Sequence, residues 1–197
     1  MLPDRKEAEK ILKEAEKCNP GMWGDHSRVA GMCAGRIAAA SGLNKDKACV
    51  LGLLHDIGRR FGKGHLQHVY DGYKYMMYLG YDEAAKICLT HSFTIQDISC
   101  YLGNIDIRPE QYRELADLLT GQIYDDYDRL IQLCDSIAMA EGVVDIEVRM
   151  GDVKRRYGSY PQEKWNKNLE IKNYFENKMG RSIYDVTGRK DSVNRKC

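Results

Sequence analysis

The stretch LGLLHDIG at residues 51–58 sets a histidine and an aspartate, His55 and Asp56, at the end of an apolar run. An ionisable pair in such a setting is costly unless something satisfies it. A divalent metal would do so, since imidazole and carboxylate suit Zn, Mn and Fe. A hydrogen-bonded core pair or a short exposed turn would do so as well. The chain has five histidines: His26, His55, His65, His68 and His91. At helical spacing His26 is in phase with Val29, Cys33 and Ile37, and His55 with Ala48 and Leu51. His68 is in phase with Gly72, Met76 and Leu79, and His91 with Ala84, Ile87 and Cys88. Asp135 follows Ile131 and precedes Ala138 on one face. Any one histidine on an apolar face is more often a hydrogen-bonded core residue than a ligand. Inward polar groups on five helices, one of them a His-Asp doublet, favour the metal, and helical bundles build metal sites in this way.

Basic residues follow the doublet. Arg59, Arg60 and Lys63 are candidates to bind phosphate, because guanidinium forks match phosphate oxygens. The bland reading is a helix C-terminus decorated with cations, which its dipole favours. Gly58, Gly62 and Gly64 let this loop approach a ligand closely, or move. Tyr70, Tyr73, Tyr75, Tyr78 and Tyr81 crowd the following helix as candidates to stack a base, with packing the commoner role. Thr90 and Ser92 flank His91 and are near enough to contact phosphate. Asp125, Asp126 and Asp128 read as a solvated acidic helix start, with one of them free to hold a metal-bound water.

The elements that must position these groups read as helices almost throughout. Alanine, leucine, lysine and glutamate recur with a period near 3.6 residues, and only four prolines interrupt. Helices are expected over 3–17, 25–41, 45–57, 66–79, 82–91, 109–120, 123–141, 145–157 and 161–179. The punctuation is Asn19-Pro20-Gly21, Gly42, Gly58, Gly80, Gly121 and Gly142, with Pro109 suited to a first helical turn. The third helix is apolar all round, which marks a central element. No segment alternates as a strand, and 188–197 reads as a polar, fraying tail. The expected fold class is all-α, divided as an N-terminal helix at 1–23, a main helical domain at 24–141 and a helical extension at 142–197. That extension, with Trp165 and Tyr174, is read as packing over the core.

The 197 residues carry a formal net charge of +1. That balance speaks against long nucleic acid or an anionic membrane surface as partner. No apolar run approaches the ~18 residues of a membrane span, and MLPDRKEAEKILKEAEK does not read as a secretory signal. Seven cysteines without a CxxC read as reduced thiols of a cytoplasmic protein, not as a zinc-thiolate site.

The motifs DHSRVAG, LGLLHDIG and LIQLCDSIAMAEG, in the order H…HD…D, resemble the HD superfamily of metal-dependent phosphohydrolases over residues 24–141. The resemblance implies that His26, His55, Asp56 and Asp135 bind a divalent metal, and that His68 and His91 add a second site. Asp56 would then bridge the two ions as a ligand of the reactive water's metal. His65 is an alternative to His68. One or two ions of Fe, Mn, Co, Ni, Zn or Mg are implied, and such an ion brings the pKa of a water it holds from 15.7 toward ~7. The implied substrate is a small phosphate compound, a nucleotide first, with symmetric diadenosine tetraphosphate hydrolases as a related subgroup. The short gap between the doublet and His68, and the chain beyond Asp135, depart from that subgroup. A non-catalytic HD-like regulatory or ligand-binding module and a nucleotide phosphodiesterase are the alternative functions, and the reading allows a homodimer.

Overall fold

The computed structural model describes residues 1–189 and is all-α apart from one tiny hairpin. Helix α1 (Arg5–Cys18) starts where Asp4 accepts a hydrogen bond from the Glu7 amide, 2.8 Å, and buries Ala8, Ile11, Leu12 and Ala15 at helical spacing. Helix α2 (Trp23–Ala40) crosses α3 (Lys45–Leu54), which Asn44 caps. Every residue of α3 from Ala48 to Leu54 is buried, so the helix that is apolar all round is indeed the central one. The two helices touch backbone to backbone. A Cβ on Gly52 would lie 2.6 Å from the Gly31 Cα.

A 3-10 turn over Ile57–Phe61 follows, then α4 (Leu66–Tyr78) and α5 (Asp82–Thr90). Another 3-10 turn, Ile98–Cys100, leads to α6 (Pro109–Thr120), α7 (Asp126–Asp135), α8 (Ile146–Tyr157), α9 (Gln162–Met179) and α10 (Ile183–Thr187). Buried side chains form three clusters. One joins α2, α3 and α7 to Met150, Ile171, Phe175 and Ile183 of the later helices. A second joins α1 and α3 to α4 and α5, and a third lies among α4, α5 and α6. No helix among the described residues is long and apolar enough to cross a membrane. Cys18, Cys33, Cys49, Cys88, Cys100 and Cys134 are free thiols.

The structure corrects several expected boundaries. The third helix ends at Leu54 and not at 57, because His55 takes the cap position and the chain tightens into the 3-10 turn. The helix expected over 123–141 begins at Asp126, where the Asp125 carboxylate accepts from the Tyr127 and Asp128 amides. It ends at Asp135, and the next residues fold into a hairpin of β1 (Ala138–Met139) and β2 (Gly142–Val143), too short for any alternation to show in sequence. Helix α10 was not expected. Of the tail read as fraying, 190–197 lies outside the described residues, while Arg189 forms a parallel bridge with Val143.

Gly58 fits its place for a steric reason. A Cβ there would lie 1.9 Å from the His68 carbonyl oxygen and 2.5 Å from the Gly72 amide nitrogen. Gly58 thus serves the close packing of the post-doublet turn on α4, not the approach of a ligand. Replacing it with alanine must push α4 away, and overpacking of this kind costs about 1–3 kcal/mol. Gly58→Ala should sit at the upper end of that range in urea unfolding, whereas Gly62→Ala, whose added Cβ meets no atom but whose φ of +139° is strained, should cost about 1 kcal/mol. Equal stability of Gly58→Ala and the parent would contradict this packing.

Candidate metal centre

Helix ends deliver the predicted ligands. His26 sits in the first turn of α2 and His68 in the first turn of α4. His55 and His91 take the C-cap positions of α3 and α5, and Asp135 is the last residue of α7. Asp56 follows His55 directly. A helix C-terminus leaves carbonyls without a partner, and the imidazoles use them. His55 Nδ1 lies 2.7 Å from the Gly52 carbonyl and His91 Nδ1 2.9 Å from that of Cys88. His68 Nδ1 contacts the His65 carbonyl. A carbonyl only accepts, so each of these Nδ1 atoms carries the hydrogen and each Nε2 presents a lone pair.

The candidate ligand atoms converge in two groups, His26 with His55 and Asp135, and Asp56 with His68 and His91. In the second group His68 Nε2 lies 3.1 Å from Asp56 Oδ1 and 3.3 Å from His91 Nε2, and His91 Nε2 lies 3.5 Å from Asp56 Oδ1. In the first, His26 Nε2 lies 3.0 Å from Asp135 Oδ1 and 3.2 Å from His55 Nε2. Two ligands held ~2.1 Å from an ion are separated by about 3.0 Å at a right angle and about 3.4 Å at the tetrahedral angle. The spacings of 3.0 to 3.5 Å match, with His55 Nε2 wider from Asp135 Oδ1 at 3.8 Å, so the donor set fits a divalent cation. The carboxylate of Asp56 faces both groups: Oδ1 meets His68 and His91, and Oδ2 lies 4.0 Å from His55 Nε2. His65 is outside both groups, its ring set edge-on to Tyr157.

The family model of the HD domain matches residues 23–140, more than half of the chain. The chain belongs to the HD-domain family. No curated protein and no solved structure matches it. The match ends just after the β-hairpin opens, so α8 to α10 lie beyond the HD match.

The electrostatics of the predicted ligands follow from burial and neighbouring charge. Desolvation pushes the pKa of His55 down to about 4 and lowers that of His68, where Arg59 adds to the effect. A proton is therefore a poor occupant of His55 or His68 at neutral pH. Burial alone would raise Asp56, yet Arg59 and then His68 and His55 outweigh it and hold the carboxyl well below its ordinary value. Asp135 is likewise lowered against its burial by the His26 hydrogen bond and the neighbouring imidazoles.

His26, Asp56, His68, His91 and Asp135 line a cavity of about 610 Å³. Arg59 and Lys63 line it. Arg59 Nε donates to Asp56 Oδ2 at 2.6 Å, so this arginine first orients the shared carboxylate. Arg60 is not at the cavity: its guanidinium stacks 4.2 Å over the Tyr75 ring and reaches Cys18. The tyrosines of α4 are also elsewhere. Tyr70 donates to Glu114, and Tyr78 is 85% exposed. The aromatic walls are instead Trp23, Tyr101, Tyr157 and Tyr160. Ser92 lines the cavity, whereas Thr90 donates to Asp128. Asp128 is not solvated. It is fully buried, pairs with Lys86 at 2.7 Å and accepts from Thr90 at 2.7 Å, which fastens α7 to the end of α5 beside His91. Helices α8 and α9 were read as packing, but Arg149, Arg156, Lys164 and Asn168 also line the cavity. Their sequence carries no spacing that distinguishes a cavity wall from a solvated helix face.

A pH test follows for metal-free protein. The folded-state pKa of His55 lies below its unfolded value of 6.5, so the unfolded chain binds more protons in the window between them. Stability should be full above pH 6.5 and fall toward pH 4, by roughly 1.4 kcal/mol per unit from this group alone. The lowered aspartates act in the same direction below their ordinary carboxyl values. Denaturant midpoints of chelator-treated protein at pH 7, 5.5 and 4.5 check this, and a flat profile would contradict it.

Proposed function

We propose that the protein is a metal-dependent phosphohydrolase that cleaves a phosphate ester or anhydride of a small compound, with nucleotides as the first class to test. The observation that carries the reading is the meeting of Asp56 Oδ1 with the Nε2 atoms of His68 and His91 within 3.5 Å, while both imidazoles turn Nδ1 to a backbone carbonyl. Such a site calls for a cation, and burial disfavours a proton there.

His26, His55 and Asp135 would hold one ion and Asp56, His68 and His91 the other, with Asp56 shared through its second oxygen. Divalent ions so held supply Lewis acidity, drawing charge from phosphoryl oxygens and acidifying water at neutral pH. The chain's own residues do the rest. The carbonyl-anchored imidazoles cannot rotate away from the site. Arg59 holds Asp56 by Nε and leaves its two terminal nitrogens available to phosphoryl oxygens. Lys63 adds a cation at the cavity edge. A volume of about 610 Å³ suits a small organic ligand, and the four aromatic walls give a base surfaces to pack on. Dinucleoside polyphosphates come first within that class by the six-ligand order, and nucleoside monophosphates second.

Purified protein should carry Fe, Mn, Co, Ni or Zn and lose phosphohydrolase activity to a chelator. Asp56→Ala should empty both sites by elemental analysis, while His68→Ala should retain roughly half of the metal. Equal stoichiometry in the two variants would remove the shared role of Asp56. Product chromatography separates the substrates, since diadenosine tetraphosphate should give two ADP. Activity confined to RNA or to phosphate compounds without a base would overturn the nucleotide assignment.

The basic residues separate in a second set of variants. Lys63→Ala should keep its metal and lose catalytic efficiency by about 1.5–3 kcal/mol, the worth of a charge-assisted bond. Arg59→Ala should lose both metal and efficiency, because it orients Asp56. Arg60→Ala should change neither. Loss of turnover in Arg60→Ala with Lys63→Ala unaffected would contradict the assignment.

A further inference from the structure

Lys164 is the unexpected cation of the cavity. It lies on α9, outside the HD match, and is only 7% exposed. Its ammonium donates to the Ser92 carbonyl at 2.9 Å and the Cys100 carbonyl at 3.2 Å. An ammonium has three hydrogens, and no carboxylate of the described residues lies within ion-pair distance of this one. Burying a charge without a counter-charge is costly. The other cations of the cavity are placed differently: Arg59 is held by Asp56, Arg149 and Arg156 by Asp152, and Lys63 is exposed to solvent.

We propose that Lys164 anchors an anionic oxygen of the substrate, so that α9 supplies part of the substrate site. The inference rests on the phosphohydrolase reading for the class of anion, and a phosphoryl oxygen is the group it fits. Position supports it. Ser92 follows the ligand His91, and the Lys164 ammonium sits against its carbonyl. The helix that carries Lys164 is tied to the other side of the metal centre as well. Asn168, 1% exposed, donates to the Tyr160 hydroxyl at 2.8 Å and the Lys164 carbonyl at 2.9 Å. Its Oδ1 lies 3.1 Å from the hydroxyl of Ser136, the residue after Asp135. The ammonium is thus fixed relative to both ligand groups before any substrate arrives, which spares binding the entropy of ordering a long side chain. Burial lowers the Lys164 pKa to about 8, so the group still carries its charge at neutral pH.

A merely structural lysine would fasten the loop over 92–100 and nothing more. Titration of inorganic phosphate by calorimetry separates the two roles, run on protein as purified and again with chelator. Lys164→Met should bind phosphate at least tenfold more weakly with its metal content unchanged, and Lys164→Arg should recover most of the affinity. Unchanged phosphate affinity in Lys164→Met overturns the anchor. The parent protein gives a second readout that needs no folded variant. Acetic anhydride labelling followed by mass spectrometry should show phosphate protecting Lys164 but not Lys167. Equal labelling of Lys164 with and without phosphate overturns the anchor too. A parent that holds no metal would sink the phosphohydrolase reading while the titration still judges Lys164. A parent that binds no phosphate would sink both.

Discussion

Imidazole anchored to a free helix-end carbonyl is the contact on which the site depends. The carbonyls of Gly52 and Cys88 have no amide to bond within their own helices, and they take the Nδ1 hydrogens of His55 and His91. His68 is held to His65 in the same three-residue step. One local rule, applied at separate helix ends, turns the Nε2 atoms of His55, His68 and His91 into the site. The result in isolation is repulsive, a set of acceptors facing acceptors, and it becomes favourable once a cation stands among them.

The packing exists to hold those helix ends together. Gly31 against Gly52 lets α2 and α3 approach backbone to backbone, which brings His26 beside His55. Gly58 against the His68 carbonyl does the same for the doublet turn and α4. Gln132 of α7 donates to the carbonyls of Thr90 and Phe93 at 2.9 and 3.0 Å, and so fixes the end of α5 relative to the helix that carries Asp135. The two ligand groups are therefore joined through covalent and hydrogen-bonded paths as well as through Asp56.

Much of this was legible in the sequence. His26, His55, His68 and His91 stood in phase with apolar neighbours, and helical periodicity converts directly into a shared face. The doublet stood out because two ionisable groups at the end of an apolar helix need a reason. What the sequence does not carry depends on tertiary geometry. Arg60 neighbours Arg59 in sequence, but a tight turn sends one inward to Asp56 and the other outward over Tyr75. Asp128 looks like its neighbours, the exposed Asp125 and the half-buried Asp126, and only the approach of Lys86 and Thr90 explains its burial. Lys164 occupies a helix rich in lysine and glutamate, where nothing local separates a buried cation from a solvated one.

The central claim is that two clusters of converging imidazole nitrogens and carboxylate oxygens, sharing Asp56, are cation sites. Anomalous diffraction from crystals grown with Mn measures this most directly. The account expects two peaks, one bounded by His26, His55 and Asp135 and one by His68 and His91, with an Asp56 oxygen on each. Density with no anomalous peak in either cluster, or with peaks only at surface carboxylates, would contradict it.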